Sequence, residues 1–128
     1  MQDQPTPAEM LPPIVAFLRD DVLPKLSGRD LFQLRVAINA LELVGRQLTL
    51  APASDAAELA RLAALLGHDG ALEALNAELA ERIASGELTL DTPGLADHLR
   101  ATAMEKLAVD QPRYAAYQRA LSRTAAKD

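Results

Sequence analysis

The sequence predicts an all-α protein: a single-domain bundle of about five to six helices with one long central helix. Three observations carry that expectation. Alanine and leucine together exceed a third of the 128 residues, and both lose little side-chain entropy in a helix. Aromatic residues reach only 3% and tryptophan is absent, whereas a sheet would draw on aromatic and β-branched side chains. Apolar residues recur three and four apart through most of the chain, the period of an amphipathic helix. A chain of this length buries one core.

Residues 1–8 are expected to be a flexible lead, residues 9–124 the helical domain and residues 125–128 a flexible end. Thr6-Pro7-Ala8-Glu9 has the form of a capping box with proline at the first helical position. Pro12 and Pro13 follow closely, so the first regular helix is expected to begin at one of them. Ile14, Phe17, Leu18 and Val22 would form its apolar face. Pro24 and Gly28 then mark a turn, with Ser27 placed to cap the next helix. That helix, residues 28–48, carries Leu31, Leu34, Ile38, Leu41, Gly45 and Leu48 as a heptad-like seam for another helix. Val36, Leu43 and Val44 widen its apolar side. Gly45 in the seam costs about 1 kcal/mol of helix propensity, which a close helix crossing or a bend would explain.

Ser54 is expected to start a third helix, with Leu59, Leu62, Ala63 and Leu66 on one face and Gly67 at its end. His68-Asp69-Gly70 reads as a turn. Leu72, Leu75, Leu79 and Ile83 build a fourth helix, which Gly86 stops. "ELTLDTPG" is strand-like but solitary; like "QLTLAP" at residues 47–52 it reads as a helix exit. Asp91 would cap a fifth helix over residues 92–109 with Leu95, Leu99, Ala103 and Leu107 inward. Asp110 ends it and Pro112 opens the last helix, where Tyr114, Tyr117 and Leu121 recur at helical spacing.

The formal net charge of −5 argues against general nucleic-acid binding, which needs a basic surface. Without cysteine there is neither a disulfide nor thiolate chemistry. No apolar run approaches a membrane span and "MQDQPTPAEM" lacks the pattern of a secretory signal, so a cytoplasmic protein without membrane contact is expected.

No catalytic constellation emerges, and neither a cofactor nor a metal is expected. The positions three and four from His98 hold Gly94, Leu95, Ala101 and Thr102, none of them a customary metal-ligand type. His68 sits in a glycine turn. Ser54 is explained by capping, and there is neither a nucleophile elbow nor a phosphate loop. Asp20, Asp21, Glu73, Glu78 and Glu81 fall on faces expected to be solvated. Arg35, Asn39, Glu42 and Arg46 form a polar stripe on the long helix, either a solvated strip or a docking surface. Arg113, Arg119, Arg123 and Lys127 make the last helix basic inside an acidic chain, and Tyr114 and Tyr117 add amphipathic bulk. Tyrosine and arginine recur at interface hot spots, yet the tyrosines would serve equally as inward packing. Arg113, Tyr114, Tyr117, Arg119, Arg35 and Asn39 are therefore the candidate partner-binding residues.

Two segments, "FLRDDVLPKLSGRDLFQLRVAINALELVGRQL" and "LADHLRATAMEKLAVDQPRYAAYQRAL", resemble the signature blocks of a small bacterial helical family catalogued as a domain of unknown function. The resemblance covers roughly residues 10 to 121. Members of that family accompany aminoglycoside-phosphotransferase-like kinases and acyl-CoA dehydrogenases. The best understood member type is the small accessory subunit of a 4-hydroxyacyl-CoA kinase of levulinate catabolism. The resemblance implies a non-catalytic subunit whose kinase partner keeps the ATP chemistry, with acyl-CoA near a shared interface; it implies no catalytic residue on this chain. Two other readings stand beside it: a self-associating, homo-oligomeric bundle with a structural role, and a small helical acyl-CoA or ligand-binding module.

Overall fold

The structure, a computed structural model, describes residues 4–125; the outermost parts of the two expected flexible ends lie outside them. The described chain is all-helical, with one long central helix. In order it forms α1 (Pro7–Phe17), a π-turn (Leu18–Val22), a 3-10 turn (Leu23–Lys25), α2 (Gly28–Leu66), α3 (Leu72–Ala84), α4 (Leu95–Asp110) and α5 (Ala115–Ala125). It divides into two compact units, residues 1–51 and 52–128, with α2 contributing to both.

The first unit opens earlier than expected, because the capping box forms. The Thr6 hydroxyl accepts the Glu9 N–H at 3.3 Å while a Glu9 carboxylate oxygen accepts the Thr6 N–H at 2.7 Å. Together with Pro7 at N1, these contacts satisfy the first orphan donors, and the helix starts there rather than at Pro12. Pro12 and Pro13 sit inside α1 on its exposed side, where water can replace the donors they lack. The inward face also differs from the expected one. Val15 is buried and Leu11, Leu18 and Val22 are half-buried, whereas Ile14 and Phe17 are 47% and 57% exposed.

On α2 the expected seam faces inward at Leu31, Leu34, Ile38 and Leu41, and Ile38 is buried. α1 fills that seam. A side chain at Gly45 would meet Leu11 at 3.8 Å, an ordinary contact, so no unusually close crossing demands the glycine. Leu48, Val36, Leu43 and Val44 are exposed, contrary to the wide apolar face expected.

The expected break near Pro52 does not occur: α2 continues through it to Leu66, and Ser54 lies inside the helix rather than capping a new one. Proline has no N–H to give the carbonyl four residues back, here Leu48, and its ring crowds that carbonyl. The boundary between the two units falls at this residue.

The second unit holds the larger core. Leu62, Leu66, Leu75, Leu79 and Leu95 form one buried cluster, with Leu65, Leu72 and Leu88 against it. Gly67, at φ +83°, ends α2 in the left-handed conformation that favours glycine. A Cβ on Gly70 would sit 2.9 Å from Leu75, so the turn hugs the core. "ELTLDTPG" is a coil of turns, not a strand: Leu88 N–H reaches the Arg82 carbonyl at 3.0 Å and Thr89 N–H reaches the Thr92 hydroxyl at 3.0 Å. With Thr92 so engaged, α4 begins at Leu95 behind Gly94 instead of behind Asp91.

The inward face of α4 is rotated from the expected one. Leu95, His98 and Val109 are buried, while Leu99 is 41% exposed. Pro112 belongs to the corner between α4 and α5 rather than to the last helix, and Gln118 donates a side-chain hydrogen bond back to its carbonyl.

Candidate functional site

Three places concentrate the polar and surface chemistry, each within a single unit. In the first unit, α1 and α2 border a groove of about 450 Å³. Leu11, Val15 and Leu41 give it an apolar lining, and Arg19 and Glu42 meet across it at 2.6 Å. The π-turn that follows α1 positions Arg19 one turn past Val15, and the polar stripe of α2 supplies Glu42. The pair leaves little net charge at that edge, and Arg46 adds a cation to the otherwise mainly apolar lining.

In the second unit, α2, α3 and α4 enclose a polar cluster beside the leucine core. Arg61 donates to both carboxylate oxygens of Glu105, at 2.9 and 2.6 Å, and to the Thr102 hydroxyl at 3.3 Å. This fork-to-fork geometry is the strong form of an ion pair, and it holds the Arg61 pKa above its usual range. Glu58, buried, accepts the Asn76 side-chain N–H at 2.9 Å. His98 is 3% exposed, and its Nδ1 has no hydrogen-bond partner. Burial first, and then the Arg61 charge, lower its pKa, against the opposing pull of Glu58 and Glu105. The cluster therefore holds a neutral imidazole beside one guanidinium and two carboxylates, with Arg61 tied to Glu105 and Asn76 to Glu58 by hydrogen bonds, the arrangement of a specifying polar core.

Neither Arg61 nor Glu58 stood out in the sequence. Their signal was the series Leu95, His98, Thr102, Glu105 and Val109, which alternates three and four apart as regularly as the apolar series chosen for α4. At the surface, His68 Nε2 lies 3.0 Å from Glu78, which also pairs with Arg82 at 2.6 Å. The Asp69 carbonyl and then Glu78 raise the His68 pKa. Among the described residues, no group of three or more His, Cys, Asp or Glu side chains is placed to hold a metal ion. Among the same residues no helix is long and apolar enough to cross a membrane.

The third place is the corner and helix at the end of the chain. Arg113 and Tyr114 precede α5 and are exposed, Tyr114 to 51%. Arg119 and Arg123 are exposed on α5, and none of these arginines has an acidic partner among the described residues. Tyr117, expected on the same side as Tyr114, is 9% exposed and packs inward. Arg35 and Asn39 are exposed on α2 in the first unit. The six candidate residues thus fall into two groups, Arg35 and Asn39 on the first unit and Arg113, Tyr114, Tyr117 and Arg119 on the second.

Comparison with curated proteins and with solved structures finds no match. A family model described as Domain of unknown function (DUF6285) matches residues 24–114. That span takes in the whole of α2, the polar cluster of the second unit and the corner up to Tyr114. It covers more than half of the 128 residues, and the chain belongs to this family.

Proposed function

We propose that this chain is a non-catalytic accessory subunit that binds and supports a phosphotransferase-like kinase acting on a hydroxyacyl-CoA or a related metabolite. The observation that carries the reading is the exposed Tyr114 with Arg113, Arg119 and Arg123 on the same corner and helix, four side chains without acidic partners among the described residues of a chain of net charge −5. Exposed tyrosine and arginine supply contact area and directed hydrogen bonds at interfaces. The kinase and its substrate class come from the resemblance to accessory subunits. In this reading the kinase keeps ATP, Mg²⁺ and the phosphoryl-transfer machinery, and this chain orders a kinase loop or completes the acyl-CoA site.

The test is affinity capture of the tagged protein from its own host, followed by turnover of the recovered kinase with and without added chain. Near-equal recovery of a phosphotransferase-like kinase whose rate falls when the chain is removed supports the reading; a kinase indifferent to the chain overturns it. If the arginines meet the phosphates of coenzyme A, Arg113→Ala with Arg119→Ala raises the KM for the acyl-CoA, and an unchanged KM removes that version. The groove of about 450 Å³ favours a second reading, a ligand-binding module, since small-molecule sites run from about 300 to about 1,000 Å³. Calorimetric titration with an acyl-CoA in the absence of any kinase separates the two.

A further inference from the structure

The groove between α1 and α2 owes its depth to a residue that helix packing does not call for. Glycine inside a helix is disfavoured against alanine, and a Cβ on Gly45 would meet Leu11 at an ordinary 3.8 Å. The missing side chain leaves open space instead. Gly45 lines the groove with Ala8 and Ala16 of α1, three positions where a larger apolar residue would fill it. Leu11, Val15 and Leu41 give that space an aliphatic wall.

The charged side chains gather toward one end. Arg19 and Glu42 pair there at 2.6 Å, and Arg46, half-buried, follows Glu42 by one turn along α2. Past Gly45 the lining runs on to Ala8 and Leu50. Thr49 adds no polar group to that stretch, because its hydroxyl donates to the Gly45 carbonyl at 2.8 Å. Two guanidiniums against one carboxylate give the lining a formal excess of one cation, within a chain of net charge −5.

Each of these features narrows the occupant. No aromatic side chain lines the groove among the described residues, so nothing there stacks on a planar ring and the apolar part is aliphatic. One excess cation suits one negative charge, and Glu42 repels a second, which disfavours phosphate dianions. A carboxylate matches the planar fork of a guanidinium in shape as well as in charge. Arg46 carries five N–H donors, enough to receive a ligand beside the contact it already makes within the chain. From Glu42 to Leu50 the helix rises about 12 Å, the length of a medium aliphatic chain.

We propose that this groove binds a medium-length aliphatic acid as its free carboxylate. Arg46 receives the carboxylate near Glu42, and the chain lies over Gly45 toward Ala8 and Leu50. The proposal rests on the ligand-binding reading of the groove and narrows it from a thioester of coenzyme A to the free acid. It is independent of the kinase reading, which rests on the other unit.

The test titrates the full-length, ¹⁵N-labelled chain with decanoate below its micelle-forming concentration, and with decanol and decanoyl-CoA in parallel. Amide shifts locate each ligand and calorimetry gives its affinity. Decanoate should move the Leu11, Leu41 and Gly45 amides and bind about tenfold more tightly than either of the others, the factor that one charge-assisted hydrogen bond carries. Arg46→Gln should remove the preference for decanoate over decanol and leave decanol unchanged. Gly45→Ala, which favours the helix and so spares the fold, should weaken decanoate and decanol alike; circular dichroism checks both variants. Decanol or decanoyl-CoA binding in the groove as tightly as decanoate keeps the ligand-binding reading and overturns the free-acid proposal. Decanoate shifts centred on the exposed Phe32 and Val36, away from Gly45, overturn it as well. If none of the three ligands moves the groove amides, the proposal and the ligand-binding reading fall together.

Discussion

Replacing Arg61 with methionine removes the central cation of the second unit while keeping most of its apolar stem. Its guanidinium spans 44 residues of sequence to reach Glu105, so its loss acts on tertiary structure and not on helix propensity. Arg61 and Glu105 are each 26% exposed. Exposed pairs contribute about 0–1 kcal/mol, whereas breaking a buried one costs about 3–5 kcal/mol. A pair between those limits, with two short bonds and a third to Thr102, should cost about 2 kcal/mol when Arg61 is removed. Arg61→Met, Glu105→Gln and the double variant, compared by urea unfolding, should give a coupling energy of about 1–2 kcal/mol.

The same substitution has a pH signature. Arg61 helps to lower the His98 pKa, while Glu58 and Glu105 raise it. Without Arg61, the imidazole gains protons more readily in the folded state and compensates the two carboxylates. The cost of Arg61→Met should therefore shrink between about pH 8 and about pH 6, as His98 titrates nearer its ordinary range. A coupling energy below about 0.3 kcal/mol, the error of additivity, would refute a structural role for the pair. A cost that grows on acidification would refute the assignment of His98 to its field.

Other outcomes follow from the same geometry. His98→Leu removes an unsatisfied buried nitrogen and should leave stability near pH 8 unchanged or raised by about 1 kcal/mol. The folded pKa of His98 lies below its ordinary 6.5, so the unfolded chain binds more protons between the two values and the native protein loses stability as pH falls through them. The advantage of His98→Leu should accordingly widen on acidification, measured as the difference between the two urea midpoints; a constant difference would be inconsistent with a buried neutral imidazole. Pro52→Ala returns an N–H to the Leu48 carbonyl and should stabilise the chain by about 2 kcal/mol, raising its thermal midpoint. Gly45→Ala meets Leu11 at an ordinary 3.8 Å and should add about 0.8–1 kcal/mol by propensity. If the groove of the first unit takes an acyl chain, the same substitution weakens acyl-CoA binding in a calorimetric titration.

Helix identity was legible along most of the chain, because the three-and-four spacing and the turns at Pro24, Gly67 and Gly86 are local. The capping box at Thr6 was legible too, but its weight against Pro12 and Pro13 was not. Whether a proline ends a helix depends on what surrounds the carbonyls it orphans, and at Pro12, Pro13 and Pro52 the helix continues. The candidate site was less accessible. The basic corner at Arg113 and Tyr114 is visible in composition alone, but the inward turn of Tyr117 is not, since tyrosine serves either side of a surface equally well.

By itself, the sequence determined the all-α class, the long central helix and the leucines of the second unit's core, since periodicity and composition need no knowledge of distant residues. Which face of α1 and of α4 turns inward was decided only by tertiary structure. On α4, Leu99 and His98 compete for the interior, and apolarity favours the leucine. His98, Thr102 and Glu105 go inward because Arg61, from a helix more than thirty residues earlier, supplies the charge and hydrogen bonds that Thr102 and Glu105 need there. A polar side chain is tolerated in an interior only when its partner arrives with it, and that partner is set by the fold.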